Sequence, residues 1–279
     1  MQKISHYWLL FKILCKGIFI RNNPFFIYLN KYRAKLFYKD KSVVEHRFCR
    51  PQKNNIALFS IAYNDHSLIQ LQYDYIVRFL KDDFSYTIVD NSNDKHESFL
   101  LEQYCIDNKV NYIKLPYNPC TYSESHACAL NYCYKNYIQY NDDIENFWFL
   151  DHDIIPYSEC SIVKHMREWI YGLKISWWVR WKRRFMRWWF CFFNKQWENL
   201  DFWIDKTYFP LSILDTGWSN RYGIYQYIKD SSHLEKYNEF RDFVAGTTYN
   251  YRLVWDWIHF RWGNLDKNKR TYLSEKYFI

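Results

Sequence analysis

Residues 147–156 read FWFLDHDIIP. Four large apolar residues, Phe147, Trp148, Phe149 and Leu150, run directly into two carboxylates one residue apart, Asp151 and Asp153. The run is too short for a helix and apolar throughout, the pattern of a parallel strand buried on both faces. In an open α/β sheet, ligands bind at the carboxyl ends of the strands. Two Asp at that edge, flanking His152, make a hard oxygen site suited to Mg2+ or Mn2+. A solvated turn with two incidental acids fits the tripeptide equally well, so the surrounding chain has to decide.

The same rhythm recurs upstream. Residues 56–63 (IALFSIAY) form a near-continuous apolar run that ends at Asn64-Asp65. Residues 66–80 follow with helical spacing, Leu68, Leu71, Tyr75, Ile76 and Phe79 making the apolar face. A second strand, 84–89 (FSYTIV), ends in Asp90-Asn91-Ser92, and a helix over 95–108 turns Phe99, Leu100, Tyr104 and Cys105 inward. A third strand covers 110–115, and a helix covers 123–140 with Ser123 and Ser125 as candidate caps. This βαβαβαβ order with short links implies parallel strands and right-handed crossovers. Three polar strand ends then share one edge: Asn64-Asp65, Asp90-Asn91-Ser92 and Asp151-His152-Asp153. One such end is ordinary turn chemistry. Three with acids in each read as a site. An acid ending the second strand is placed to hydrogen-bond a ribose or base, and the carboxylate pair on the fourth can hold a divalent ion bridging a diphosphate.

Composition narrows the field. At 279 residues, 49% hydrophobic and 24% charged, the chain suits one α/β domain with additions and excludes wholesale disorder. Only 6 residues are Gly, and no G-x-G-x-x-G or Walker-type pattern is present, which argues against a glycine-rich phosphate loop. The 8 Cys form no C-x-x-C pair and read as small buried hydrophobes in a reducing compartment rather than a disulfide framework or zinc knuckle. The net charge of +8 is uneven: residues 1–50 carry eleven Lys/Arg against two acids, and residues 174–195 carry seven and none. Such segments suit an anionic membrane or a nucleic acid.

The first twenty residues interpose Lys12 and Lys16 in an apolar stretch whose longest uninterrupted run falls far short of the roughly 20 residues that span a bilayer. No small-residue cleavage site follows, so no secretory signal is expected. The pattern suits an interfacial amphipathic helix, and a second basic-aromatic piece, FFIYLNKYRAKLFYK, follows the break at Asn22-Asn23-Pro24. Membrane contact and packing on the domain itself are both open for these helices.

Taken in order, IALFSIAYND, YTIVDNSND, YSESHACALNYCY and FWFLDHDIIP resemble the nucleotide-binding half of the GT-A glycosyltransferases, most of all inverting enzymes of the family-two type. The likeness covers residues 54–160 and continues more weakly through RWWFCFFN (187–194), LDTGW (214–218) and WIHFRWGN (257–264). It implies a GT-A, Rossmann-like α/β fold, a mostly parallel central sheet with flanking helices, here carrying a basic aromatic N-terminal helical extension over 1–53. Residues 54–160 would form the nucleotide-sugar half and 161–279 the acceptor half. By the same resemblance, Tyr63 and Asn64 line the base pocket, Asp90 with Asn91 contacts base or ribose, and His126 lies near the diphosphate or sugar. Asp151-His152-Asp153 matches the D-x-D signature, with Asp151 shared between ribose and metal, Asp153 the direct ligand of Mn2+ or Mg2+, and His152 the variable middle position. His259 would return from the C-terminal segment to complete the metal shell or bind the diphosphate; a core histidine is the plainer reading.

The second half is less explicit. In residues 172–195 the Trp at 177, 178, 181, 188 and 189 interleave with Arg and Lys. A lipid interface or an acceptor-side stacking surface ranks above a nucleic-acid platform, because the acidic strand ends already suggest a use. Trp188-Trp189 stand where the family usually places a small residue or Gly, so the resemblance does not carry over the acceptor pocket's shape. Asp215, in the 214–218 turn, is the first choice for the carboxylate that takes the acceptor hydroxyl's proton, and Asp242 is the second; a turn Asp is the plain alternative. The expected protein is a metal-dependent enzyme transferring a sugar from a nucleotide-diphosphate donor to a glycan or lipid-linked acceptor. It is expected to be cytoplasmic and peripheral on the inner, anionic face of a membrane. The competing readings are a nucleotidyltransferase, which would want a glycine-rich basic loop after the first strand, and a non-catalytic membrane- or nucleic-acid-binding protein.

Overall fold

The computed structural model describes residues 24–50, 56–120, 122–165, 170–176, 184–194, 238–244, 247–254, 256–260 and 275–276. The apolar runs become strands where they were expected: β2 (Ile56–Ala62), β3 (Phe84–Asp90), β4 (Asn111–Lys114) and β5 (Asn146–Asp151). They pair parallel in the order β4-β3-β2-β5. Every residue of β2 is buried, because it has a strand on each side and helices over its faces. Among the described residues the sheet has seven strands. Antiparallel strands flank the parallel core: β1 (Val44–His46) beside β4, and β8 (Arg184–Asn194) then β7 (Ile170–Ser176) beyond β5. The protein is therefore a mixed α/β fold with a central parallel sheet and flanking helices.

The strand order fixes where a ligand can bind. The chain runs outward from β2 to β3 to β4, then returns to place β5 on the other side of β2. Helix-bearing connections leave β2 and β3 on one side of that reversal, whereas β5 continues directly into the next strand, and the crevice outside the carboxyl ends of β2 and β5 is the usual ligand position in open α/β sheets. Ile61 of β2 lies beside Asp151 of β5 at that point.

Three helices cross between the strands: α2 (His66–Phe79), α3 (Lys95–Asp107) and α4 (Tyr122–Cys133), the last continuing as a π-helical turn, Tyr134–Ile138. The expected helix over 123–140 thus changes pitch at Tyr134, where Gln139 N–H bonds the Tyr134 carbonyl at 2.8 Å. The inward face of α3 also differs from expectation. Ser98, Leu101 and Cys105 are buried, whereas Phe99 is 56% exposed. Ser98 turns inward because its hydroxyl donates to Asp90 at the end of β3, and that contact sets the helix's rotation.

After β5 the chain crosses into a second sheet. β6 (Ile154–Pro156) pairs antiparallel with β11 (Trp257–Phe260), followed by β10 (Thr247–Val254) and β9 (Asn238–Val244). Helix α2 is covered on two sides. Ile69 and Ile76 belong to the main core, while Leu68, Leu71, Tyr75 and Phe79 pack with Ile155, Tyr251 and Ile258 of the second sheet. The single apolar face expected for this helix is two faces. The sheets also meet directly, with the Trp148 and Trp257 rings edge-on at 4.8 Å and 75°.

Part of the N-terminal segment joins this body. Helix α1 (Pro24–Lys39) buries Ala34 and Phe37 in the main core, Phe37 meeting Tyr132 of α4 edge-on at 5.6 Å. The basic-aromatic segment after residue 169 supplies the β7–β8 strand pair at the sheet's far side.

Trp257→Ala is expected to destabilise the protein by about 3–5 kcal/mol, as large buried aromatics do when truncated, and Trp257→Phe by much less. Urea midpoints measure this; a loss near zero for the alanine variant would refute the role of this contact in joining the sheets.

Candidate functional site

Asp151 ends β5 in the main sheet, and Ile154 begins β6 in the second. The chain changes sheets within that step, and both carboxylates lie in it. Such a turn leaves buried carbonyls that need donors. Gln72, fully buried on α2, provides them: its amide Nε2 donates to the Asp151 and Ile154 carbonyls at 2.7 Å each. Its Oε1 accepts from Ser60 Oγ of β2 at 2.5 Å and Tyr86 OH of β3 at 2.7 Å. Two hydroxyl donors on one side and two carbonyls on the other can be satisfied only by a neutral amide. Burial pushes the Tyr86 phenol up, which keeps it a donor.

Helix α2 is itself placed by the strand end before it. Asp65 caps it, its carboxylate accepting from Leu68 N–H at 3.1 Å. Asn64 adopts φ 50°, a left-handed conformation that asparagine tolerates. Its Oδ1 accepts from the N–H groups of Asn93 at 2.9 Å and Asp94 at 3.0 Å, which ties the β2 and β3 ends together. Tyr63 beside it is 43% exposed.

The register of β6 with β11 sets His259 opposite Ile154, next to the turn. His259 Nε2 lies 3.3 Å from Asp153 Oδ1, both residues being buried. Asp151, Asp153 and His259 each offer one ligand atom, all within 4.8 Å of one another. Among the described residues, Asp153 Oδ1 accepts no well-aligned hydrogen bond. Burial by itself would raise the Asp153 carboxyl, but the His259 imidazole, and then His152, hold it below the usual carboxylate range. A buried, ionised and incompletely satisfied oxygen is costly alone, and a divalent cation would satisfy it. Two carboxylates and an imidazole are a donor set that fits Mg2+ or Mn2+.

His126 of α4 completes the group, its Nδ1 3.8 Å from Asp151 Oδ1. Burial, and then His152, push its imidazole down to about 3, so at neutral pH it adds no positive charge beside Asp151. His152 turns Nδ1 toward the Ile61 carbonyl at 3.2 Å.

Asp90 and Asn91 stand at the same edge with their polar atoms engaged inside the protein. The Asp90 carboxylate is fully buried. It accepts from Ser98, from Tyr112 OH at 2.8 Å and from Ser92 N–H at 2.8 Å, and it pairs with Lys114 at 3.2 Å. Asn91 donates to Ser125 Oγ at 3.1 Å and accepts from Asn118 at 3.0 Å. Of the expected site residues, the structure thus gathers Asp151, His152, Asp153, His126 and His259. Asp215 lies outside the described residues, and Asp242 is in β9. Gln72, Ser98 and Asn118 were not expected, and Ser125, a candidate cap, instead lies inside α4 and accepts from Asn91. Gln72 alone had a signal, as the polar residue four before Ile76 and four after Leu68 on a buried helix stripe.

No family model matches the chain, and no curated protein matches it. Solved structures with some likeness include S. aureus TarS, 18% identical over 39% of this chain and 18% of that one, TM-score 0.27. Others are the apo WbbM bifunctional glycosyltransferase, 11% identical over 46% and 24%, TM-score 0.32, and TarS 1-349 in complex with UDP-GlcNAc, 17% identical over 44% and 34%, TM-score 0.29. This chain spans well under two thirds of the length of each. At these identities and scores the likeness carries no functional argument.

Gln72→Leu strands two hydroxyls and two carbonyls. At about 1–3 kcal/mol for each buried group left unpaired, with partial relaxation, a loss of about 3–5 kcal/mol is expected in the denaturant midpoint. Gln72→Glu, which sets carboxylate oxygen against the same carbonyls, is expected to cost at least as much; wild-type stability in either variant would remove Gln72 from this account.

Proposed function

We propose that the protein is a GT-A-type glycosyltransferase that moves a sugar from a nucleotide-diphosphate donor to a glycan or lipid-linked acceptor with inversion. The observation that carries this reading is the convergence of Asp151, Asp153 and His259 on one point at the reversal of strand order. That point is where the sheet leaves room for a ligand, and the donor set suits a cation that accompanies a diphosphate.

In this reading, Asp153 and His259, with Asp151, hold Mn2+ or Mg2+, which when bound neutralises charge on the leaving diphosphate. The exposed ring of Tyr63 offers a face to the base. Asn64, Asp90 and Asn91 shape the nucleotide pocket through the loops they brace. Asp151 is shared between metal and ribose, and His152 orients the turn. Neutral His126 contributes hydrogen bonds to the diphosphate without adding a charge. Asp215 takes the proton of the acceptor hydroxyl, an assignment that rests on the sequence pattern. Residues 54–160 make the donor half and 161–279 the acceptor half, and the enzyme works at the cytoplasmic face of a membrane.

A panel of nucleotide sugars incubated with the protein and Mn2+ tests this by nucleotide release. One donor is expected to turn over, chelation to abolish turnover, and Asp153→Asn to lower kcat/KM by at least about a hundredfold, the scale of removing an electrostatic contact to a developing charge. If no donor binds or reacts, or Asp153→Asn keeps full activity, the reading fails. Asp215→Asn is expected to lower kcat by about a hundredfold or more while donor affinity holds, as loss of a general base does; equal loss of both would reassign it to binding.

A further inference from the structure

We propose that helix α1 docks the protein on an anionic lipid surface through one face while its opposite face is part of the core. Ala34 and Phe37 point inward at 5% and 1% exposure. On the other side Tyr28, Tyr32 and Leu36, four residues apart, form an exposed apolar stripe at 72%, 51% and 46%. Lys31, Lys35 and Lys39, also four apart and exposed, run beside it. At 3.6 residues per turn, these six side chains share an arc of about 140°. The helix contains no acid, so nothing on it offsets the lysines.

The composition of that arc selects its partner. Lysines beside a stripe of tyrosine and leucine match a headgroup layer above an acyl boundary, where amphipathic tyrosine rings settle and lysine stems extend to phosphates. An acidic protein or a nucleic acid would use the lysines and leave the apolar stripe unexplained. The helix is about 24 Å long and would lie in the plane of the bilayer; among the described residues no helix is long and apolar enough to cross one. Because Ala34 and Phe37 fix α1 to the sheet domain, docking would also set the domain's orientation. This proposal is independent of the metal-site reading.

Flotation of the full chain with phosphatidylcholine vesicles, with and without phosphatidylserine, tests it. Binding is expected only with the anionic lipid and is expected to weaken with salt. The triple variant Lys31→Gln, Lys35→Gln, Lys39→Gln should bind about a hundredfold more weakly, about fivefold per charge. The triple variant Tyr28→Ser, Tyr32→Ser, Leu36→Ser should also bind more weakly at unchanged charge. Single Lys35→Gln, a change too small to unfold the helix, should lose about fivefold and guards against misfolding of the triples. No binding by the parent, undiminished binding by the variants, or tighter binding to an oligonucleotide than to anionic vesicles overturns the proposal.

Discussion

One amide holds the candidate site in place. The chain must leave the mixed central sheet and enter an antiparallel one between Asp151 and Ile154, and Gln72 bonds the carbonyls at both ends of that step. Its other end is fixed by hydroxyls from two neighbouring strands, so the turn is referenced to the middle of the sheet. Gln72 in turn depends on α2, which Asp65 caps and which apolar residues grip from both sheets. The carboxylates are therefore placed by buried backbone and helix contacts, and their position does not rely on a flexible loop.

Two buried aspartates at this edge show opposite treatments of the same group. Asp90 is saturated: two hydroxyls, a backbone N–H and a lysine surround it. Such a carboxylate stabilises the strand end and the rotation of α3. Asp153 is also buried, but among the described residues its Oδ1 accepts no well-aligned hydrogen bond, with His259 Nε2 3.3 Å away. Burying charge without full compensation is expensive. The structure meets that cost for Asp90 internally and leaves it partly open for Asp153, which separates the bracing acid from the candidate ligand.

What was legible in the sequence followed from range. The strands β2, β3 and β5 are continuous apolar runs, so their burial and their polar ends could be read locally. The gathering of Asp151 and Asp153 at that edge came with them. His259 was different, since its place follows from a register with Ile154 about a hundred residues earlier, and only the family resemblance pointed to it. Strand β6 is three residues long and belongs to a second sheet whose other members come last in the chain. Periodicity alone gives α2 one apolar face, and its second face follows from packing on that sheet. Apolarity favours Phe99 for the inward position of α3, but the hydrogen bond to Asp90 brings Ser98 there instead. The change of pitch at Tyr134 had no sequence signal.

The division of the site between two sheets has a thermodynamic consequence. Asp151 ends a strand of the first sheet, whereas His259 belongs to the second. Anything that binds all three ligands at once binds only the docked arrangement, so by linkage it strengthens the docking by the free energy of its own binding. The relation is reciprocal: whatever loosens the second sheet from α2 weakens the bound species equally. Occupancy of the site and cohesion of the two layers are then one equilibrium observed from two ends.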